Sequence, residues 1–317
     1  MKKALFIVLL SGSLFTIALF ALPRLLTPPA IREMSRQVDS LPPLPGEVLT
    51  DIVYKREIPF QSFKLDIYYP LNSASSLYKS YIADEDPVLV FIHGGSWIHG
   101  DKKLIRIVDP FLQKLRECGI AVVAVDYTAG LTGGLSKPIE NCRDALQWLG
   151  ENGREYGLNP DYLGLYGVSA GAHLGMMAIP SIQDNPELDL KFVLEEFGPV
   201  DLVFMAGGDA FDASSLFNAF PRRILKKYSP LHLVNENWPP FLIFHGTADR
   251  TVALNQSELL SRRLTQYGVP HTLQIVPEGD HGFFNKSQAY WRQLEDQCMD
   301  FLLPRFFPGE SYSLSVK

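Results

Sequence analysis

The sequence predicts an α/β fold, a mostly parallel central sheet with helices on both faces and a small cap inserted late in the chain. Three observations predict it. Strand-like apolar runs alternate with helix-like segments from about residue 51 onward, the pattern of strands joined by crossover helices. A Gly167-Val168-Ser169-Ala170-Gly171 turn stands between a short apolar run and a helix start. Two further strand-like runs then end in loops carrying Asp249 and His281, in the chain order Ser, Asp, His.

The strands are expected at Ile58–Tyr69, Val88–His93, Ile120–Tyr127, Leu163–Gly167, Phe192–Gly198, Phe241–His245 and Thr272–Val276. The clearest helices are Pro138–Tyr156, Ala170–Met177, Gln256–Tyr267 and Gln288–Leu303. Ser73–Asp86 is a polar connection, expected as an exposed loop. Phe204–Lys227 interrupts the alternation and reads as a cap. Its Phe211, Phe217 and Phe220 suit either an apolar acyl or aryl pocket or packing between cap and core. The catalytic domain is expected to run from 51 to 317, after a leader at 1–23 and a Pro-rich linker at 24–50.

Each motif has a physical reason for its residue types. Ser169 sits on a sharp turn that leaves room only for small neighbours, and there it would attack an acyl carbon with help from a base. In isolation such a serine reads as a helix N-cap. The partners change that reading. His281, in the Gly-rich turn after the last strand, would take the serine proton and return it to the leaving group. Asp249 would orient His281 and stabilise its imidazolium. Asp280 competes, but it adjoins His281, and neighbouring loop side chains diverge. Asp280 and Glu278 are therefore read as loop carboxylates. Upstream, His93-Gly94-Gly95-Ser96-Trp97 follows an apolar strand. The backbone N–H groups of Gly94, Gly95 and Ala170 are the oxyanion-hole candidates. Ser96 is left open between a donor and a loop brace. His93 and His245, each at a strand end before glycine, read as loop braces. Trp97 and Phe283 are carried as substrate-side candidates, with a core or rim aromatic as the alternative for Trp97.

With these motifs in register, the chain resembles the α/β-hydrolase carboxylesterases, in the branch carrying HGG-x-W. That branch includes hormone-sensitive-lipase-like, feruloyl or acetyl esterase-like and aryl formamidase-like proteins. The resemblance covers roughly Asp51 to Leu303. It implies a serine hydrolase acting on small or medium acyl esters through an acyl-enzyme, without a cofactor. Two positions depart from the pattern: Ser96 replaces the third glycine of the HGGG form, and Tyr127-Thr128-Ala129-Gly130 replaces the branch's Tyr-Arg-Leu-Ala-Pro segment. Amide chemistry, as in aryl formamidases or peptidases, is the runner-up. A catalytically silent binding domain is the alternative from another class.

Composition bounds the rest. A net charge of −6 argues against a nucleic-acid partner, and Arg222-Arg223 with Lys226-Lys227 reads as a solvated helix face. No phosphate-loop, dinucleotide or metal-ligand motif is present. Cys118, Cys142 and Cys298 are odd in number and lack motif spacing, so buried thiols are expected rather than a disulfide framework. Lys2-Lys3 precedes an uncharged run from Ala4 to Leu22, 19 residues long, within the roughly 17–25 that a spanning helix needs. An uncleaved signal-anchor is the first reading, with the catalytic domain on the non-cytoplasmic side. A cleaved secretory signal is the second.

Overall fold

The computed structural model describes residues 38–57, 61–71, 85–130, 134–206, 217 and 220–308. One eight-stranded sheet organises them. Its strands are β1 (Val48–Glu57), β2 (Gln61–Tyr68), β3 (Asp86–Ile92), β4 (Ala121–Val125), β5 (Leu158–Val168), β6 (Leu190–Glu196), β7 (Phe241–Gly246) and β8 (His271–Val276). They lie in the order β1-β2-β4-β3-β5-β6-β7-β8. Strand β2 pairs antiparallel with both β1 and β4, and every pairing from β4 across to β8 is parallel. The helices are α1 (Asp109–Glu117), α2 (Ser136–Asn152), α3 (Ala170–Gln183), α4 (Leu202–Ala206), α5 (Arg222–Lys227), α6 (Asn255–Gln266) and α7 (Gln288–Phe306).

The central strands are apolar on both faces because both faces are covered. Val88, Val90 and Ile92 of β3 pack in one core cluster with Ile139 and Leu146 of α2, Leu174 of α3 and Leu260 of α6. Leu89 and Phe91 face the other way, into a cluster with Leu112 of α1 and Met299 and Phe306 of α7. Strand β3 pairs with β4 on one edge and β5 on the other, so the chain order reverses there. Crevices outside the carboxyl ends of strands at such a switch point are where open α/β sheets bind ligands. The loops after β3, β5, β6, β7 and β8 all leave from that end.

Several expected elements shift. The strand expected at Ile58–Tyr69 is the second arm of a hairpin. Its first arm, β1, starts inside the stretch expected to be linker. The charged Lys55, Arg56 and Glu57 hide β1 in the pattern. Instead of apolar burial alone, ion pairs hold it: Lys55 to Asp144 at 2.5 Å and Lys137 to Glu57 at 2.5 Å. Helix α1 was not among the expected helices, although its Phe111, Leu112 and Leu115 are buried on one face. Helix α3 runs six residues past the expected Met177, through Pro180. Expected features at 1–37, most of the 73–86 loop and Phe211 lie outside the described residues. Of the cap, α4, α5, Phe217 and Phe220 are described. Its two helices are tied by Ser229, whose hydroxyl donates to Leu225 O at 2.8 Å and accepts from Leu202 N at 3.0 Å. Among the described residues, no helix is long and apolar enough to cross a membrane.

Candidate active site

The strand-to-helix elbow at Ser169 is built by backbone crowding. Ser169 has φ 55° and ψ −120°, a conformation that a non-glycine residue adopts only when its surroundings enforce it. A Cβ on Gly171 would lie 2.0 Å from Ile92 O, and one on Gly167 would lie 2.5 Å from Ala172 Cα. Both glycines are therefore required by contact with main chain that cannot move aside. Ser169 N donates to Glu196 O at 2.8 Å, and His173 N donates to Ser169 O at 3.2 Å. The elbow is thus fixed to β6 on one side and to the first turn of α3 on the other.

Ser169, His281 and Asp249 meet as the sequence predicts. Ser169 Oγ is 3.0 Å from His281 Nε2, and His281 Nδ1 is 2.7 Å from Asp249 Oδ2. With Nδ1–H committed to a carboxylate, Nε2 is the nitrogen left to accept the serine proton. Residues 32 and 112 positions from His281 are joined in this chain. Main-chain contacts between the two loops make that possible: Thr247 N donates to Val276 O at 3.0 Å and Ala248 N to Gly279 O at 2.9 Å. A Cβ on Gly246 would come within 2.1 Å of Gly279 O.

The Asp249 side chain is fully buried, yet it holds a charge because donors surround it. Thr251 N and Val252 N donate to Oδ1 at 2.7 and 2.9 Å, and His281 Nδ1 donates to Oδ2. His245 Nε2 lies 3.3 Å from Oδ2 and 2.8 Å from Val252 O. Burial alone would raise the Asp249 pKa, but the bonds from His245 and His281 outweigh it and hold the carboxyl well below the usual range. Asp280 takes no part in this chain. Its carboxylate accepts from Asn285 N at 3.4 Å, closing its own loop, as the sequence reading expected. Glu278, exposed at φ 53°, is likewise a turn residue.

The HGG loop folds back on itself, with Ile98 N and His99 N both donating to Gly95 O. Gly95 has φ +124°, and a Cβ there would fall 2.0 Å from His99 O. A Cβ on Gly94 would lie 3.4 Å from Ser169 Cβ, so this loop runs directly beside Ser169. Among the described residues, the Gly94 and Gly95 N–H groups meet no protein acceptor, and Ala170 N–H opens a helix turn that has no intrahelical partner for it. Donors of this kind suit a developing oxyanion. His93 braces the loop, as expected: Nδ1 lies 2.7 Å from Gly94 O, and the ring stacks on Tyr127 at 4.1 Å. The Tyr127 hydroxyl donates to His93 O at 2.9 Å. His245 is also a brace, with Nδ1 2.7 Å from Ser257 Oγ.

Trp97 and Phe283 correct the sequence reading. They are 2% and 0% exposed and belong to the core. Trp97 is packed edge-on against His173 and Phe217, each at 5.2 Å. Phe283 meets Phe197 at 5.1 Å. Both rings are large enough that the core beneath a tight loop claims them. Phe217 is buried against Trp97, so of the two readings left open for it, cap-to-core packing holds.

Three supporting residues had no readable signal. Phe197, at φ 42°, places its ring 4.6 Å from that of His281 and forms the floor under the imidazole. Glu195 and Glu196 end β6 beneath the elbow, where burial pushes their carboxyls up to about 8 and about 7. Glu195 accepts from Gly198 N, and among the described residues its Oε2 has no partner. Glu196 accepts from the Tyr166 hydroxyl at 3.1 Å. Two carboxylates in succession on a strand suggest an exposed end from sequence alone. Both faces of the sheet are covered at this strand end, Glu195 by the Gly198 turn and Glu196 by Tyr166.

The mostly parallel sheet, the serine on its strand-to-helix elbow and the loops gathered at the carboxyl ends of the strands define an α/β-hydrolase. More narrowly, the chain belongs to the BD-FAE family, whose model matches residues 65–264. Among curated proteins, the esterase LipQ of Mycobacterium tuberculosis is 27% identical over 68% of this chain and 55% of its own length. A probable isoprenylcysteine alpha-carbonyl methylesterase of Arabidopsis thaliana is 28% identical over 65% of this chain and 45% of its own. The chain thus spans about half the length of these relatives. Among solved structures, a truncated carbohydrate esterase from gut microbiota superposes with a TM-score of 0.65 at 22% identity, covering 80% of this chain and 96% of that one. Esterase 2 of Thermogutta terrifontis, phosphonylated by sarin, gives 0.67 at 23%, covering 85% and 99%. These structural likenesses are of fold.

Two predictions follow from the geometry. With Asp249 holding His281 for hydrolysis at Ser169, Asp249→Asn is expected to lower kcat on an ester substrate by about 10⁴-fold, since the wrong histidine tautomer is then favoured, while Asp280→Asn stays within about threefold. Steady-state kinetics of the two variants would reverse the assignment if the ranking were inverted. The second concerns Glu195. Its native pKa lies above its unfolded one, so the native state binds more protons and stability declines as pH rises through that interval. Glu195→Gln removes this titration. Its melting temperature relative to wild type should rise steadily from about pH 5 to about pH 8; parallel curves across that range would exclude the effect.

Proposed function

We propose that this chain is a serine hydrolase that cleaves carboxylic esters of small or medium acyl groups through an acyl-enzyme. The observation that carries the reading is the continuous chain Ser169 Oγ–His281 Nε2–His281 Nδ1–Asp249 Oδ2, with steps of 3.0 and 2.7 Å between residues. Membership of the BD-FAE family and the esterase names of the relatives agree with it.

In this reading Ser169 attacks the acyl carbon while His281 Nε2 takes its proton. The tetrahedral oxyanion falls to the N–H groups of Gly94, Gly95 and Ala170, each such donor contributing about 3–4 kcal/mol to transition-state stabilisation. His281 then returns the proton to the departing alcohol, and water repeats the sequence on the acyl-enzyme. The buried, anionic Asp249 stabilises the imidazolium through both halves. No step calls for a cofactor.

The test is labelling with a fluorophosphonate, followed by intact mass, in wild type and Ser169→Ala. A single adduct on wild type, absent from the variant, is expected, together with a loss of about four to six orders of magnitude in ester turnover. An unlabelled, folded wild type would instead favour a silent, binding hydrolase-like domain. A panel of matched aryl esters and anilides separates ester from amide chemistry, and faster anilide turnover would displace the ester reading.

The second part of the proposal concerns placement. Ala4–Leu22, uncharged over 19 residues and preceded by Lys2-Lys3, would act as a signal-anchor, with the catalytic domain on the non-cytoplasmic side. Full-length protein should then stay in the membrane pellet after carbonate extraction; release of a shortened chain would point to signal cleavage.

A further inference from the structure

The two halves of the oxyanion hole come from different elements. Gly94 and Gly95 lie on the loop after β3, and Ala170 opens α3. Their mutual spacing must be held to a fraction of an ångström for all of these donors to serve one oxygen. The loop cannot set that spacing by itself. Gly95, Ser96 and Trp97 are three successive residues with positive φ, at 124°, 55° and 61°, and strain of that kind persists only where the surroundings over-determine it.

His173 supplies such a determinant. It stands one helical turn after Ser169, and its side chain is fully buried. Its Nδ1 lies 3.1 Å from Trp97 Nε1, and its Nε2 lies 2.7 Å from Tyr228 O. An indole N–H can only donate and a carbonyl can only accept. The partners therefore dictate the tautomer: Nδ1 bare, Nε2 protonated, the ring neutral. Burial pushes the pKa down to about 4, which keeps the ring in that state at neutral pH. Trp97 is two residues from Gly95, and His173 is three from Ala170. One hydrogen bond thus spans the gap between the two sets of donors. Through Tyr228, the residue after α5, the same ring also reaches the cap.

We infer that His173 is a positioning residue that sets the distance between the two halves of the oxyanion hole by accepting a hydrogen bond from Trp97, while its second nitrogen fixes the ring against the cap. This rests on the serine-hydrolase reading above. It assigns His173 no contact with substrate, and it gives buried Trp97 a role in the loop in place of the substrate-side one.

The test uses full-length protein whose active sites are titrated with a fluorophosphonate, so that rates refer to folded sites only. Hydrolysis of 4-nitrophenyl acetate is the readout. His173→Leu, His173→Gln and Trp97→Phe each break the Trp97 bond. Each should lower kcat per titrated site by about 10- to 100-fold, the scale of an ångström-sized misplacement, with KM within about twofold. His173→Asn, which keeps an acceptor near the Nδ1 position, should recover most of that loss. In the double variant Trp97→Phe/His173→Leu the losses should not multiply, because both remove the same bond. Affinity for an aryl boronic acid, which needs the oxyanion donors, should fall in parallel with kcat. Wild-type kcat per titrated site in Trp97→Phe and His173→Gln would overturn the inference, as would multiplicative losses or a change confined to KM. If His173→Leu does not fold, the other two single variants and His173→Asn carry the test. An unlabelled wild type would overturn the underlying serine-hydrolase reading, and this inference with it.

Discussion

A close approach between the main chain at the end of β3 and the first turn of α3 governs the geometry of the site. At Gly171 a Cβ would sit 2.0 Å from Ile92 O and 2.4 Å from His93 O. Contact that close lets α3 start directly beside the strand that delivers the HGG loop. Without it, Ala170 N–H and the Gly94–Gly95 amides would be separated by the thickness of a side chain. The sheet supplies the complementary rigidity. Strands β3 and β5 pair in register from Val88–Leu163 to Ile92–Gly167, so the two loops leave adjacent, parallel strand ends at the same level. Backbone packing, more than any side-chain contact, brings Ser169 and the Gly94, Gly95 and Ala170 amides to one point.

Charge is handled differently at different depths. Asp249 is buried and anionic because two backbone amides and two histidines donate to it. Glu195, also buried, has one backbone donor and is pushed toward its neutral form. The contrast follows from the number of donors, since burial alone raises both carboxyls. A third arrangement anchors the far side of the HGG loop. Lys102, almost wholly buried, reaches Asp51 at 2.9 Å, Asp66 at 3.4 Å and Asp126 at 3.6 Å. These carboxylates come from β1, β2 and the end of β4, so the loop is fixed to the antiparallel edge of the sheet. Removing the lysine would strand Asp66, which is 3% exposed, without its cation.

Much of the fold and of the Ser169–His281–Asp249 arrangement was legible in the sequence because its signals are local. Strand β3, the elbow and the loops carrying Asp249 and His281 each show an apolar run followed by small residues, and the order of the three identifies the arrangement. What escaped was set by tertiary neighbours. Strand β1 is charged because ion pairs and an antiparallel edge hold it. Phe197 reads as an ordinary strand-end aromatic until β8 brings His281 over it. Trp97 and Phe283 stand beside functional residues in sequence but point into the core. Adjacency in a tight loop, where successive side chains diverge, is a poor guide to adjacency at the site. By the same rule Asp280, beside His281 in sequence, bonds within its own loop.

Strain follows the same geography. Among the described residues, seven other than glycine have positive φ, and six of them, Ser96, Trp97, Ser169, Phe197, Glu278 and Phe283, lie in the loops at the carboxyl ends of β3, β5, β6 and β8. The seventh, Asp51, interrupts β1 where its amide donates to Asp66. Such conformations cost of order 1–3 kcal/mol each. They persist here because every one of these loops is tied to a second element: Ser169 to β6, Phe197 to β7 through Phe244 O, and Glu278 N to Thr247 Oγ1. Trp97 is tied to α3 by its indole. A loop relaxed to ordinary backbone angles would carry its amides or its histidine away from Ser169. Most of the strained residues therefore share the loops of Gly94–Gly95, Ser169 and His281, though not the Asp249 loop, and a two-faced apolar core leaves these strand ends little room to relax.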